Sequence, residues 1–307
     1  ALLQELLDER KCCYNVFGVK SEYINMSKGL RQGSPEASLI FSAVVNLVLT
    51  RLDDKWKSEG KGIFFGPFKG CEIAYENWHK AFSQHLGGFN PQNIHLSCIA
   101  FVDDIYLIAK TVHEAQAMIA DVSAALKEIG LELQMNKVKW MANKFVSNDL
   151  DNTMLVANNI EIAPCNQLVV LGSLITNDGC ENDVIEHRIE GGWKSFYKWA
   201  HVLTCTEASL ASRLRFWLKT VALSLTWCLE TTRLTETSIL RLRSTQHMMV
   251  RKMMRCKRTT QPDGTLEPWL TWQVNTIRKA TSKVNEHNAC IINIAKTKKA
   301  NWASHLA

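Results

Sequence analysis

The stretch "CIAFVDDIYLIA", residues 98–109, is a run of ten apolar residues interrupted by two adjacent carboxylates, Asp103 and Asp104. Two carboxylates about 4 Å apart repel by roughly 4 kcal/mol at an effective dielectric near 20. Desolvation adds to that cost. A shared proton, a nearby Arg or Lys, open solvent or a cation must offset it. A carboxylate pair at the connection of a hairpin can ligate hard divalent ions. Mg²⁺ takes one or two carboxylates together with phosphate oxygens. Two such ions roughly 3.5–4 Å apart support in-line phosphoryl transfer. The bland reading of the pair is an ordinary turn, which Asp favours.

The elements around the pair follow from pattern. "LSCIAF" and "IYLIA" are rich in Ile, Phe, Tyr and Leu and predict two strands with the Asp pair in their connection. Upstream, "MSKGLRQGSPEASLIFSAVVNLVLTRLDDKW" reads as a Gly-rich loop followed by a helix from about Pro35. Pro suits the first helical turn, and Glu36 suits the dipole there. Between this helix and the strands, residues from Gly60 to Asn93 look like an irregular insert with short strands. Downstream, Thr111 and Glu114 fit a capping box. Ala115, Met118, Ile119, Val122, Leu126 and Ile129 then recur at helical spacing, and Gly130 suits the stop. "LELQMNKVKWMA" predicts the next strand, and "NQLVVLGSLIT" another that ends in the turn "NDG". After Asp183 the pattern is helical, which gives an α+β part first and an all-helical part second.

The bulk numbers set the frame. A chain of 307 residues with 46% hydrophobic content can bury a sizeable core. No run of eighteen apolar residues occurs, so no membrane span is expected. The ten cysteines include no CxxC pair and no Cys/His set at zinc spacing. A reducing intracellular compartment, cytoplasm or nucleus, is expected. The net charge of +6 conceals an asymmetry. Residues 1–183 hold 16 Lys and Arg against 22 Asp and Glu, whereas residues 184–307 hold 20 against 8. The split points to a polyanion partner for the C-terminal part. The helical stretch from Thr237 to Arg258 concentrates this charge in Arg241, Arg243, Arg251, Lys252, Arg255, Lys257 and Arg258, with Glu236 as the near counter-charge. Such a face can track phosphates with strong salt dependence. Its bland alternative is a solvated surface.

Five segments in register carry a family resemblance. "GLRQGSPEASLIFSAVVN", "IAFVDDIYLIA", the amphipathic helix, "GLELQMNKVKWM" and "VVLGSLITNDG" resemble, in order and spacing, the palm of a reverse transcriptase, most of all those of non-LTR retrotransposons. The tail "KKANWASHLA" is similar to a Trp-Ala-x-His segment downstream of the thumb in such elements. The resemblance implies a partial palm over residues 1–183, built of an antiparallel sheet with packing helices. A basic helical thumb over 184–260 and a helical tail over 261–307 would follow. It implies that Asp103 is a metal ligand and that Asp104 supports the site and the primer end. Arg31, Gln32 and Gly33 would meet template, nucleotide or phosphate, and Lys137 would be a general acid toward pyrophosphate. Arg241, Arg243, Arg251, Lys252 and Arg255 would hold nucleic acid. The partners implied are an RNA template, a DNA primer and a dNTP, with two Mg²⁺ ions in the intact parent and no membrane. The primer 3′-hydroxyl would attack the α-phosphate and expel pyrophosphate. Upstream fingers and endonuclease segments of one polyprotein are further implied partners.

Residue by residue, plainer roles stand beside these. Gly29 and Gly33 read equally as loop glycines. Lys137 and Lys139 alternate as the wet face of a strand would. Phe101 and Tyr106, and Trp193, Trp199, Trp217 and Trp227, read as core. The family also places a third carboxylate on a strand before the "RQG" loop. Here the 28 residues before Gly29 hold one Asp, Asp8, in the helical-looking "LLDERK". Ala37-Ser38, Gln134 and Val170 stand where the family often has Ser-Pro, Asn and an aromatic. The chain is therefore expected to be a fragment with half of a metal site, inactive or impaired alone. The alternatives are a non-catalytic nucleic-acid-binding remnant of such an element and, in a third class, a helical protein-interaction scaffold.

Overall fold

A computed structural model describes residues 11–13, 15–25, 35–65, 94–144 and 153–306 of the chain. The chain divides into two compact units. The first takes residues 1–66, 91–136 and 156–160, and the second takes 67–90, 137–155 and 161–307.

In the first unit, four two-residue strands come first: β1 (Lys11–Cys12), β2 (Asn15–Val16), β3 (Val19–Lys20) and β4 (Ile24–Asn25). They pair antiparallel, β1 with β4 and β2 with β3. Helix α1 (Pro35–Ser58) begins at the expected proline, with Glu36 in its first turn and Lys55 and Lys57 in its last. Both ends therefore carry the charge that the helix dipole favours. Strand β5 (Ile63–Phe65) pairs with β6 (Ile94–Leu96), and β7 (Cys98–Phe101) pairs with β8 (Asp104–Leu107) as the expected hairpin.

Helix α2 (Val112–Glu128) starts at Thr111, whose hydroxyl accepts the Glu114 N–H at 3.1 Å. The Glu114 carboxylate reaches outward instead of back, accepting the Gly62 N–H at 2.5 Å. Gly130 and Leu131 close the far end by donating to the carbonyls of Lys127 and Leu126. Between α1 and α2 lies the core: Val45, Val48, Leu49, Leu52 and Trp56 meet Met118, Val122 and Leu126. Burying each such side chain contributes roughly 1.5–3 kcal/mol. Cys98, Ile105 and Leu107 of the hairpin pack on the same cluster, so the hairpin sits on a rigid two-helix base. At its edge Lys55 and Trp56 both donate to Asp121, at 2.7 and 2.9 Å. Burial pushes the Asp121 carboxyl up, but these two hydrogen bonds with the Lys55 and Lys61 charges carry it below its ordinary value.

Residues 131–142 do not form the expected strand. Leu131 and Leu133 pack on the α1–α2 core, and Met135–Lys137 curl into a 3₁₀ turn. Trp140 makes only an isolated bridge to Pro164.

Strands β9 (Leu155–Ala157) and β10 (Ile160–Ile162) pair. In the second unit the expected single strand over 166–176 is a hairpin, β11 (Gln167–Val170) against β12 (Ser173–Thr176). Its connection, Leu171-Gly172, is left-handed at both residues, φ 48 and 78. That suits a two-residue hairpin, because the twist of such a turn matches that of the strands.

The helices follow: α3 (Glu181–Lys198), α4 (Ala200–Leu203), α5 (Leu210–Leu225), α6 (Glu236–Met253), α7 (Trp269–Glu286) and α8 (Ile291–Leu306). Ser209 and Thr235 cap α5 and α6 through their hydroxyls. Ile185 and Phe196 of α3, Trp217 and Val221 of α5, Met249 of α6 and Ile292 of α8 share one core. Gly192 lets α3 close on α5, because a Cβ there would overlap the buried Leu225 side chain.

The architecture is α+β, short antiparallel pairings with packing helices and then helices alone. Cys13, Cys98, Cys165, Cys180, Cys205, Cys228, Cys256 and Cys290 are free thiols, and among the described residues no helix is long and apolar enough to cross a membrane.

Candidate functional site

The β7–β8 hairpin sets Phe101 opposite Asp104, which leaves Val102 and Asp103 as a two-residue turn. Val102 sits at φ 54, a region that a β-branched side chain rarely enters. Such strain costs of order 1–3 kcal/mol and persists where the surroundings over-determine it. The base of the hairpin supplies that constraint. Ser97 donates its hydroxyl to Asp53 of α1, the Ile108 N–H donates to the Ser97 carbonyl at 2.7 Å, and His95 Nε2 donates to the Lys61 carbonyl at 2.6 Å.

Both carboxylates of the pair are exposed. The Tyr106 hydroxyl donates to Asp104 at 3.3 Å. Among the described residues no Lys, Arg or His forms an ion pair with Asp103 or Asp104. Exposure to solvent reduces their repulsion, and two hard oxygen donors stand next to each other with no counter-charge among the described residues. This donor set fits a divalent cation held by one or two carboxylates together with phosphate oxygens. No third His, Cys, Asp or Glu joins them among the described residues.

The aromatic neighbours depart from the core reading. Phe101 is 57% exposed, and Tyr106 is half-buried with its hydroxyl on Asp104. Lys137 closes the 3₁₀ turn and is exposed, as is Lys139. Arg31, Gln32 and Gly33, with Gly29 and Asp8, lie outside the described residues. Asp53, the positioning carboxylate beneath the hairpin, escaped the sequence reading. Its signal was a second acidic pair, Asp53-Asp54, in the last turns of the helix.

In the second unit the basic stretch is the helix α6 plus an irregular tail, since the helix ends at Met253 and Arg255 is left-handed at φ 51. Arg241 is paired with Glu186 of α3, a counter-charge distant in sequence. Arg258 donates twice to the Glu267 carbonyl, at 2.8 and 2.5 Å. Arg243, Arg251, Lys252, Arg255 and Lys257 form no ion pair among the described residues. The Arg251 guanidinium lies 4.3 Å from the Trp272 ring centroid and Lys252 Nζ 5.8 Å from that of Tyr197. Burial, then the charges of Arg243 and Arg251, pushes the His247 imidazole below its ordinary value.

The tryptophans divide. Trp217 is core, while Trp193 and Trp199 are partly buried against it. Trp227, expected in the core, is half-exposed and donates to the Leu171 carbonyl at 3.1 Å. Arg188 donates to the neighbouring Gly172 carbonyl, so the β11–β12 turn is held from within α3 and from just beyond the end of α5.

The hairpin with its acidic tip, the helices beneath it and the segment to Gly172 all lie within a stretch that known proteins share. The family profile described as "Reverse transcriptase (RNA-dependent DNA polymerase)" matches residues 3–172, more than half of the 307. The chain belongs to the reverse transcriptase family. It is 28% identical over 127 residues to the "Retrovirus-related Pol polyprotein from type-1 retrotransposable element R2" of Nasonia vitripennis. That alignment spans 41% of this chain and 9% of the polyprotein. No solved structure matches.

Proposed function

We propose that the chain is the palm and thumb part of the RNA-directed DNA polymerase of a non-LTR retrotransposon. The observation that carries this reading is the exposed Asp103–Asp104 pair on a strained hairpin inside the family's matched segment. Residues 1–183 are read as a partial palm, 184–260 as the thumb and 261–307 as a helical tail. The cytoplasm and nucleus are the compartments in which such an element's transcript and target are met.

In this reading Asp103 holds Mg²⁺ and Asp104, oriented by Tyr106, supports the same site. A bound Mg²⁺ supplies charge stabilisation at the phosphates during nucleotidyl transfer. Arg31, Gln32 and Gly33 contact the template–nucleotide pair, and Arg31 reaches a phosphate. Lys137 protonates the departing pyrophosphate. Arg241, Arg243, Arg251, Lys252 and Arg255 hold the template–primer through its phosphates.

The pair lacks a third carboxylate among the described residues. These 307 residues are expected to give little or no primer extension alone. The test is retention instead of turnover. An RNA template annealed to a DNA primer is bound to the chain, and retention of the next dNTP is measured with and without Mg²⁺. Mg²⁺-dependent retention that Asp103→Asn abolishes, with hybrid binding intact, is expected. Equal retention by Asp103→Asn would overturn the metal assignment.

The basic helix α6 also fits a second reading, a nucleic-acid-binding remnant whose palm is vestigial. In that case hybrid binding persists and no Mg²⁺-dependent nucleotide retention occurs in either form.

A further inference from the structure

A groove of about 830 Å³ opens between α3, α6 and the start of α7. Its walls alternate two chemistries. Arg251, Lys252 and Arg255 bring charge, and Trp193, Tyr197 and Trp272 bring rings; Lys257 adds a fourth cation, and no Asp or Glu among the described residues lines the groove. Trp193 and Tyr197 stack at 5.6 Å with 27° between their planes, giving a double-ring platform. Tyr197 is 60% exposed, with Lys252 Nζ 5.8 Å from its ring centroid, so an incoming base would share that ring with the ammonium group. The Trp272 face holds the Arg251 guanidinium, which restricts the motion of a long side chain and leaves a planar fork of donors. The volume lies within the range that takes a drug-sized ligand, about 300–1,000 Å³.

A phosphate-tracking surface needs cations and has no use for exposed rings. A core needs rings and buries them. An exposed tyrosine ring backed by a tryptophan, beside cations that form no ion pair among the described residues, suits a ligand that offers π-faces and phosphates at once. In a duplex each base face is covered by its neighbours; in a single strand it is free to stack, and sequence matters little because every base has a π-face.

We propose that this groove binds an unpaired stretch of nucleic acid, with a base on the Tyr197–Trp193 platform and its phosphates on Lys252, Arg255 and Lys257. The inference rests on the nucleic-acid reading of α6 and deepens it, adding a stacked single strand to the phosphate contacts proposed for this part of the helix.

The experiment is fluorescence anisotropy on the full chain with two probes, a short single-stranded RNA and the same RNA annealed to its DNA complement. Tyr197→Ala removes an exposed ring, so the fold is expected to persist. It should weaken single-strand binding about tenfold, the loss of one stacked base, and leave duplex binding unchanged. Tyr197→Phe should behave as wild type, and Lys252→Ala should weaken both probes. If Tyr197→Ala leaves single-strand binding unchanged, or weakens the two probes equally, the single-strand assignment is wrong while the nucleic-acid reading stands. If the wild-type chain binds neither probe, both fall.

Discussion

Asp103 and Asp104 are tolerated side by side because the hairpin lifts them into solvent, where the high dielectric reduces their repulsion to about 1 kcal/mol at roughly 4 Å. That arrangement has its own cost at Val102, which is left-handed at φ 54. Glycine adopts that conformation without a Cβ clash. Val102→Gly should therefore stabilise the first unit by about 1 kcal/mol, seen as a rise of roughly 2–4 °C in its thermal transition. A fall in Tm would mean that Val102 is unstrained or that its side chain contributes more packing than strain. The sequence made the acidic pair and its connection legible, since two apolar runs bracket it. It did not reveal exposure: ten apolar neighbours suggested burial, yet Phe101 and Ile99 face outward on the open side of a hairpin packed on only one face. Nor did it reveal Asp53 beneath Ser97, because that contact joins residues 44 apart in sequence.

Helices were the most legible elements, since their period and caps are local. Thr111, the apolar stripe through Leu126 and the Gly130 stop all appear in α2 as expected. The two misread segments have physical reasons. Residues 131–140 alternate between partly buried and exposed as a strand would, but alternation of burial needs no hydrogen-bonded partner, and here none forms before Trp140. Residues 167–176 read as one strand because Leu171 continues the apolar run, and only Gly172 marks the turn. The α3–α5 contact was hidden for a different reason, because a mid-helix glycine is uninformative until its neighbour is known. Gly192→Ala would gain about 1 kcal/mol in helix propensity. It would also force a methyl group onto fully buried Leu225, an overpacking cost of typically 1–3 kcal/mol. A net loss of about 1 kcal/mol is expected by denaturant titration, and the double variant with Leu225→Ala should lose less than the sum of the two single losses. A neutral or stabilised Gly192→Ala would show that α3 and α5 have room to separate.

Across the whole molecule, charge and chemistry are segregated. The acidic first 183 residues contain the carboxylate hairpin, and the basic remainder contains the cationic α6 groove. Each lies in a compact unit with its own apolar core. Metal binding and nucleic-acid binding should therefore be separable by single substitutions, with a divalent ion bound at the hairpin in the proposed reading. The most direct measurement is Mn²⁺ bound per chain, read by electron paramagnetic resonance as the ion is titrated. The wild-type chain and Lys252→Ala should bind Mn²⁺ alike, and Asp103→Asn and Asp104→Asn should lose it. Mn²⁺ binding that is absent from the wild type, or that survives both Asp substitutions, would contradict the account and leave the hairpin an ordinary acidic turn.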